Sequence, residues 1–152
     1  MITPRTNAPS DHRGEIYRAD IEELFLSGVD NHRYVDGICV PKCDTLTDFE
    51  TVEKDLSMIE KELKIGQGSL KVIPQIESTQ AFINMKSIFE YDIKIRKATP
   101  KRIIAAAFGG DDFTADFGVT RSDDDFELDF ARKTFALTCH AFGITSIDTP
   151  YV

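Results

Sequence analysis

Apolar and polar residues alternate in blocks along the chain, and the spacing within each block predicts a helix or a strand. The clearest helix spans residues 47–63, where apolar side chains recur every three or four positions and form a single stripe. Thr47 and Glu50 have the spacing of a capping box at its start, and Gly66 follows its end. Further helices are predicted at 18–26, from Ser78 or Thr79 to about Phe89, and from about Asp124 to Phe142, and strands at 36–41, 71–76, 102–108 and 144–148.

The predicted helices and strands alternate along the whole chain, which indicates an α/β fold with a parallel sheet. Two architectures remain open, a doubly wound open sheet and an eight-stranded (β/α)8 barrel. The length of 152 residues favours the open sheet, because a complete barrel takes about 250 residues. The strand ends favour the barrel, because a charged residue follows each strand and a barrel places these ends at one rim. Taken singly, however, Lys42 or Asp148 is explained by an ordinary solvated loop position. The charged residues at the strand ends are Lys42, Glu77, Asp111, Asp112 and Asp148.

Two of these strand ends carry acids that a solvated loop does not explain. Glu77 directly follows a buried strand, and Asp111 and Asp112 follow the glycine pair Gly109 and Gly110. Glycines at such a position remove side chains where another group must approach the backbone. Two carboxylates on neighbouring strands suit Mg²⁺, which keeps several waters and takes one or two protein carboxylates. The sequence therefore predicts a metal pair at the rim.

Composition narrows the class of protein and its partners. With 41% hydrophobic residues, the chain can bury the core of a single domain spanning residues 1–152. The net charge of −8 disfavours nucleic acid and anionic membrane surfaces. No apolar run approaches the roughly 20 residues of a membrane span, and the first residues have no apolar signal core, so we expect an intracellular protein.

The cysteines predict reduced thiols rather than disulfides or zinc. There are three of them, an odd number without a pairing framework. Cys39 and Cys43 are separated by three residues, and His140 follows Cys139, but no second ligand pair has the spacing of a zinc finger or ribbon. We therefore expect small buried or half-buried thiols.

Five segments of the chain resemble successive motifs of the HpcH/HpaI aldolase and citrate lyase beta-subunit family. They occur in the family's order and cover nearly the whole chain, which makes the resemblance specific. The segments are PRTN at 4–7, DGICVPK at 36–42, PQIES at 74–78, GGDDFTADFG at 109–118 and AFGITSIDTPYV at 141–152.

The resemblance implies a TIM barrel that uses Mg²⁺ or Mn²⁺ to cleave or form a carbon–carbon bond in 3-hydroxy acids or their coenzyme A thioesters. Glu77 and Asp112 match the family's metal-binding acids, with Asp112 preferred to Asp111 because the family phrase aligns there. Arg5 matches the arginine that holds the substrate's carboxylate. The choice among citrate-, malyl- and citramalyl-type substrates stays open, as does the need for coenzyme A.

The resemblance also implies that this chain is a partial barrel with only the central strands and helices, incomplete at both ends. Such a barrel exposes strand edges and leaves Arg5 on an unanchored N-terminus, so we expect it to aggregate, oligomerise or need another chain. The family suggests a homo-oligomer, a trimer, in which a candidate acid or base comes from the C-terminal region or a neighbouring subunit. No general acid or base is therefore assigned, and a cytoplasmic or a mitochondrial location is equally compatible.

Three functional hypotheses follow. The first is a metal-dependent lyase acting on a small hydroxy or oxo acid or its acyl-CoA. The second is a non-catalytic relic or subunit that keeps the metal pair and acts only with a partner chain. The third is an unrelated open-sheet binding module in which Glu77 and Asp112 are ordinary loop acids.

Overall fold

A computed structural model describes residues 1–10, 14–27, 35–95 and 99–149 of the chain. Within these residues, helices and strands alternate in the order that the sequence predicts. None of the helices in these ranges combines the length and the apolar character that a membrane crossing requires. The elements are α1 (Glu15–Phe25), β1 (Gly37–Val40), α2 (Leu46–Glu62), β2 (Lys71–Ile76), α3 (Thr79–Ile95), β3 (Ala105–Phe108), α4 (Gly110–Phe117), a 3-10 helix (Phe126–Leu128), α5 (Asp129–Ala141) and β4 (Thr145–Ile147).

The strands form one parallel sheet in the order β1-β2-β3-β4. Since right-handed crossovers between strands that follow one another in the sheet all lie on one face, the helices cover that face. A doubly wound sheet requires the strand order to reverse at a switch point, and the described strands show no reversal. The fold is therefore part of a TIM barrel, as the strand ends and the resemblance predict, and the open-sheet alternative is wrong.

The N-terminal segment continues the sheet beyond β1. Arg5 forms a parallel bridge with Cys39, the Thr6 amide donates to the Cys39 carbonyl at 3.0 Å, and the Cys39 amide donates to the Pro4 carbonyl at 2.8 Å. The backbone amide of Asn7 then donates to the Asp20 carboxylate on α1 at 2.6 Å. The expectation of an unanchored Arg5 is therefore wrong, because backbone pairing with β1 and a bond to α1 hold this segment.

The two faces of the sheet are covered to different extents. Apart from the exposed Ser146, side chains on the helix-covered face are buried, whereas Cys39 and Gln75 on the other face are half-buried and Ile147 is 43% exposed. The open face is the one that would line the interior of a closed barrel. The buried sheet residues are Ile38, Val40, Val72, Ile76, Ala106 and Phe108, and they belong to one apolar core with Phe49, Leu56, Ile88, Phe89 and Phe135 of the helices.

A buried ion cluster fixes the amino-terminal edge of the sheet. The fully buried Arg102 donates from Nε to Glu53 at 2.6 Å and from Nη1 to Glu60 at 2.8 Å, both on α2. Nη1 also donates to the Leu70 carbonyl at 2.7 Å, just before β2 begins. The backbone amide of Arg102 donates to Asp92 on α3 at 3.0 Å. One side chain thus joins two helices to the segments that lead into β2 and β3.

Helix α2 has Thr45 as its N-cap, two residues before the predicted N-cap Thr47, and its first helical residue is Leu46. Thr45 has extended backbone, its Oγ1 accepts from the Asp48 amide at 3.2 Å, and its own amide donates to Asp48 at 2.8 Å. This pair forms the capping box, so the assignment to Thr47 and Glu50 is wrong. The extended backbone at Thr45 is what stops the helix from starting further upstream.

The later helices also differ in length from their predictions. Helix α3 continues past Phe89 to Ile95, because Tyr91 packs edge-on against Phe49 with ring centroids 6.2 Å apart and Asp92 is buried against β3. The predicted start of the last helix at Asp124 is wrong, because Asp125 has left-handed backbone (φ 53°) and only a 3-10 turn follows before α5.

We predict that Arg102→Met lowers the free energy of unfolding by about 3–5 kcal/mol, because it leaves buried Glu60 without its cationic partner. Lys133→Met, which breaks an exposed ion pair with Asp129, is the control and should change stability by no more than about 0.5 kcal/mol. Urea unfolding of the three proteins measures both effects. A loss below about 1 kcal/mol in Arg102→Met would contradict the role of the cluster.

Candidate functional site

Glu77 lies at the carboxyl-terminal edge of the sheet, where the helix-covered core ends. It directly follows β2, and only 3% of it is exposed. Its Oε1 accepts a hydrogen bond of 2.9 Å from the backbone amide of Lys42, which lies just beyond β1. Lys42 has left-handed backbone (φ 46°), an uncommon conformation for a residue other than glycine. The turn after β1 therefore holds Glu77, the acid that directly follows β2.

The pKa of Glu77 is raised above its usual range, and burial of the carboxylate is the largest cause. The hydrogen bond from the Lys42 amide lowers this pKa, the negative charge of Asp112 raises it, and the positive charges of Arg5 and Lys42 lower it. The charges of the other two predicted site residues, Asp112 and Arg5, therefore both act on Glu77. A buried carboxylate beside a second acid favours the binding of either a proton or a metal cation.

Gly109 makes room for Glu77. A Cβ atom at Gly109 would lie 2.6 Å from the Glu77 Cβ and 3.0 Å from its Oε2. The Gly109 amide donates to the Ile76 carbonyl at 3.0 Å, which keeps the ends of β2 and β3 level. At Gly110 the approaching group is Thr149, whose Oγ1 accepts from the Gly110 amide at 3.0 Å. The glycine pair thus admits groups of the chain itself, in agreement with the predicted close approach.

Helix α4, which the sequence reasoning missed, carries the second acid of the predicted pair. Its first turn contains Asp111 and Asp112. The carboxylate of Asp111 accepts from Arg121 at 2.6 Å, whereas Asp112 forms no hydrogen bond or ion pair with any described residue. Asp112 is also the acid that acts on the pKa of Glu77. The sequence signal that could have located this short helix is Gly118, a glycine that ends the helix in left-handed backbone (φ 77°).

Arg5 lies on the far side of Cys39 from β2 and is exposed to solvent. Burial raises the pKa of the Cys39 thiol, while the charge of Arg5 lowers it and that of Glu77 raises it. Cys39 is therefore a protonated thiol between the arginine and the acid, on the open face of the sheet. Neither the guanidinium of Arg5 nor the ammonium of Lys42 has a hydrogen-bond or ion-pair partner in the described part of the chain.

The remaining charged residues near the strand ends have structural partners. The Asp148 carboxylate accepts from Arg132 Nε on α5 at 3.0 Å. Asp116 on α4 accepts from the backbone amide of Thr79 at 2.8 Å, which joins α4 to the start of α3. Lys42 differs, because its amide serves Glu77 and its side chain is free within the described residues. Sequence reasoning missed this role, because a hydrogen bond donated by a backbone amide does not depend on the residue type.

The donors available to a metal are the two carboxylates alone. No group of three or more His, Cys, Asp or Glu side chains in the described residues is arranged to hold a metal ion. Glu77 Oε2 accepts no hydrogen bond from these residues, and Gly109 leaves the space beside it open. A carboxylate pair of this kind fits an ion that keeps several of its waters, such as Mg²⁺.

The fold is that of a barrel-type α/β protein, and its candidate site, the pair Glu77 and Asp112, lies where the carboxyl ends of the strands meet. The model of the HpcH/HpaI aldolase/citrate lyase family matches residues 23–152. The chain belongs to this family, as its motifs predict. Arg5 lies before the matched residues, so its assignment depends on its motif and on its position beside β1.

Known proteins that resemble the chain are longer than it is. The mitochondrial citramalyl-CoA lyase of Rattus norvegicus is 29% identical over 134 residues, which cover 88% of this chain and 38% of the relative. Citrate lyase subunit beta of Escherichia coli K12 is 30% identical over 132 residues, covering 87% of this chain and 39% of the relative. The chain thus spans about two fifths of the length of these curated relatives.

A solved structure supports the same architecture. The magnesium/glyoxylate complex of malate synthase from Haloferax volcanii superposes with a TM-score of 0.79 over 99% of this chain and 44% of that one. The sequence identity is 19%, so this likeness concerns the fold.

We predict that Gly109→Ala lowers the free energy of unfolding by about 1–3 kcal/mol, because its methyl group would overlap the Glu77 side chain. Gly66→Ala is the control, because a Cβ atom there would meet only the Ser69 hydroxyl, at 3.2 Å, within 4 Å. Adding Glu77→Gly should recover most of the loss in Gly109→Ala. Urea unfolding of the double-mutant cycle measures the coupling, and additive losses would contradict the contact.

The raised pKa of Glu77 predicts a pH-dependent effect of Glu77→Gln. Because the folded state disfavours the ionised carboxylate, the contribution of Glu77 to stability is present below the ordinary pKa of glutamate and lost as pH rises through its folded pKa. Without divalent cations, Glu77→Gln should therefore be more stable than the wild type at neutral pH, and this advantage should vanish near pH ~4. Urea unfolding at the two pH values checks this, with exposed Glu50→Gln as the matched substitution. A Glu77→Gln protein that is less stable at neutral pH would oppose it.

Proposed function

We propose that the chain carries the central part of the active site of a Mg²⁺-dependent carbon–carbon lyase. The substrates would be 3-hydroxy acids or their coenzyme A thioesters, cleaved or formed in an aldol or Claisen reaction. The observation that carries the proposal is the buried carboxylate of Glu77, whose raised pKa reflects burial and the neighbouring charge of Asp112. Both acids lie at the edge of the sheet where barrel enzymes build their sites.

In this proposal Glu77 and Asp112 hold the Mg²⁺ ion, or Mn²⁺ in its place. The Lys42 amide donates to Glu77 Oε1 and so orients the carboxylate, while Oε2 accepts no hydrogen bond from the described residues and has no side chain of residue 109 against it. Waters would complete the coordination. When bound, the ion supplies Lewis-acid stabilisation of the negative charge that develops on an enolate oxygen.

Arg5 would bind the carboxylate of the substrate. Its guanidinium is exposed, has no partner in the described part of the chain, and acts electrostatically on Glu77. A guanidinium offers a planar pair of donors that matches a carboxylate, so it can fix the orientation of a hydroxy or oxo acid. Backbone pairing of the segment around Arg5 with β1 gives this group a defined position.

The similar proteins support this substrate class without choosing within it. Citramalyl-CoA lyase and citrate lyase subunit beta point to carbon–carbon cleavage, and the solved malate synthase contains magnesium and glyoxylate. Coenzyme A as part of the substrate, a homo-oligomer such as a trimer, and an intracellular location in cytoplasm or mitochondrion complete the proposal. The general acid or base would come from another segment or a neighbouring subunit.

A second candidate is a non-catalytic subunit that keeps the metal pair and acts only with a partner chain. The observation that favours it is the open face of the sheet together with β4, whose residues are all exposed. An open sheet face and an exposed edge strand are surfaces that a partner chain would cover, which fits a subunit that acts only with another chain.

We predict that Mg²⁺ stabilises the wild type and that Glu77→Gln and Asp112→Asn abolish this effect. Saturation at about 100 times the dissociation constant should raise the free energy of unfolding by about 2.7 kcal/mol. Asp111→Asn is the matched control, because that acid pairs with Arg121 and should leave Mg²⁺ binding intact. Thermal unfolding and calorimetric titration measure both quantities. Unchanged binding in Glu77→Gln and Asp112→Asn would remove the metal pair.

Turnover separates the two candidates. For a lyase, the chain should release a free thioester and an oxo acid from malyl- or citramalyl-type CoA thioesters, and Arg5→Met should lower kcat/KM by at least about tenfold, because a charged hydrogen bond is lost. Product formation is measured with Mg²⁺ present. A folded chain that binds Mg²⁺ yet turns over none of these substrates would favour the non-catalytic subunit.

A further inference from the structure

A polar cavity of about 420 Å³ adjoins the carboxyl end of β1, on the side of the N-terminal segment. Its charged lining groups are Arg5, Lys42 and Asp20, and Asn7 contributes an amide. The cavity is large enough for a carboxylate or a phosphate together with part of the molecule that carries it. Lys42 links it to the acid pair, because its amide holds Glu77 while its side chain lines the cavity.

The charges in this cavity are unbalanced. Asp20 Oδ2 accepts from both the backbone amide and Nδ2 of Asn7, at 2.6 and 2.9 Å, and so helps to hold the N-terminal segment, while the cavity lining carries two cations against this one anion. Arg5 and Lys42 have no side-chain partner among the residues that the structure describes. Two unpaired cations in one cavity stand out in a chain whose net charge is −8. Their local field attracts an anion.

The loop that carries Lys42 is held from several directions. Beyond the bond from its amide to Glu77, the Asp44 carboxylate accepts from Ser78 Oγ at 2.6 Å, and the Asp44 carbonyl accepts from Asn84 Nδ2 at 2.8 Å. These bonds join the turn after β1 to the start of α3. A loop fixed in this way presents its ammonium group with little loss of conformational entropy on binding.

We propose that this cavity is an oxyanion subsite, in which Lys42 binds a second anionic group of the substrate beside the carboxylate assigned to Arg5. The inference rests on the proposed function, because it assumes that the substrate lies beside Glu77 and Asp112. The group is a carboxylate or a phosphate, from a dicarboxylic acid or from the coenzyme A part of a thioester. Substrates with two anionic groups would bind more tightly than those with one.

The test compares Lys42→Met with Lys64→Met. Lys64 is also exposed and left-handed (φ 56°), but it follows α2 at the opposite edge of the sheet. Malonate and coenzyme A are the probes, titrated calorimetrically at low salt into the full chain with and without Mg²⁺. Lys42→Met should weaken binding of a probe by about tenfold, as expected for one charged contact, and Lys64→Met should not. Raising the salt concentration should reduce the difference.

The outcomes separate this subsite from the metal site. Lys42→Met retains the backbone amide that holds Glu77 and removes a positive charge that acts on its carboxylate, so its Mg²⁺ affinity should equal or exceed that of the wild type whatever happens to the anions. A loss confined to malonate identifies a carboxylate subsite, and a loss confined to coenzyme A identifies a phosphate subsite. Wild-type affinity of Lys42→Met for both probes, or binding of neither probe by the wild type, overturns the subsite while the Mg²⁺ titration still reports on the proposed function.

Discussion

The alignment of the strands depends on the buried charge of Arg102. This guanidinium cannot be solvated where it lies, so it must be surrounded by Glu53, Glu60 and the Leu70 carbonyl. Those partners belong to α2 and to the segment leading into β2, while the arginine itself leads into β3. These contacts hold the segments that lead into β2 and β3 side by side, where Val72 bridges Ile103, and further along the two strands pair Ile76 with Phe108, so that the next residue of each strand lies level at the opposite edge.

The two edges of the sheet differ in whether their charged side chains are paired. At the amino-terminal edge every charge in the cluster has a partner, and the result is stability. At the carboxyl-terminal edge Asp112, Arg5 and Lys42 have no side-chain partners among the described residues, and Glu77 is buried with one oxygen uncommitted. Unbalanced charge costs folding free energy and is typical of sites that bind ligands. The contrast distinguishes the edge of the candidate site from the edge that the buried ion cluster stabilises.

The sequence was informative where the physics is local and less so where it is not. Hydrophobic spacing predicts the order of elements, and the glycine pair predicts the close approach that Glu77 makes to Gly109. Choosing between an open sheet and a barrel requires the strand order, a long-range property that periodicity does not contain. The start of α2 was assigned to the capping pattern of Thr47 and Glu50, and it is the extended backbone of Thr45 that identifies Thr45 and Asp48 as the capping box. The amide of Lys42 was invisible because any residue except proline could donate that bond.

The outer edge of β4 is an edge at which a further strand could extend the sheet. Within the described residues β4 pairs only with β3, so its other row of backbone amides and carbonyls is a template for a further strand. A parallel strand joining there, from this chain or another, would extend the curvature of the open face toward closure. Its last side chains would arrive beside Thr149, on the flank of the acid pair opposite Arg5. A strand added at that edge would therefore approach the candidate site from the side of β4, opposite the N-terminal segment that pairs with β1.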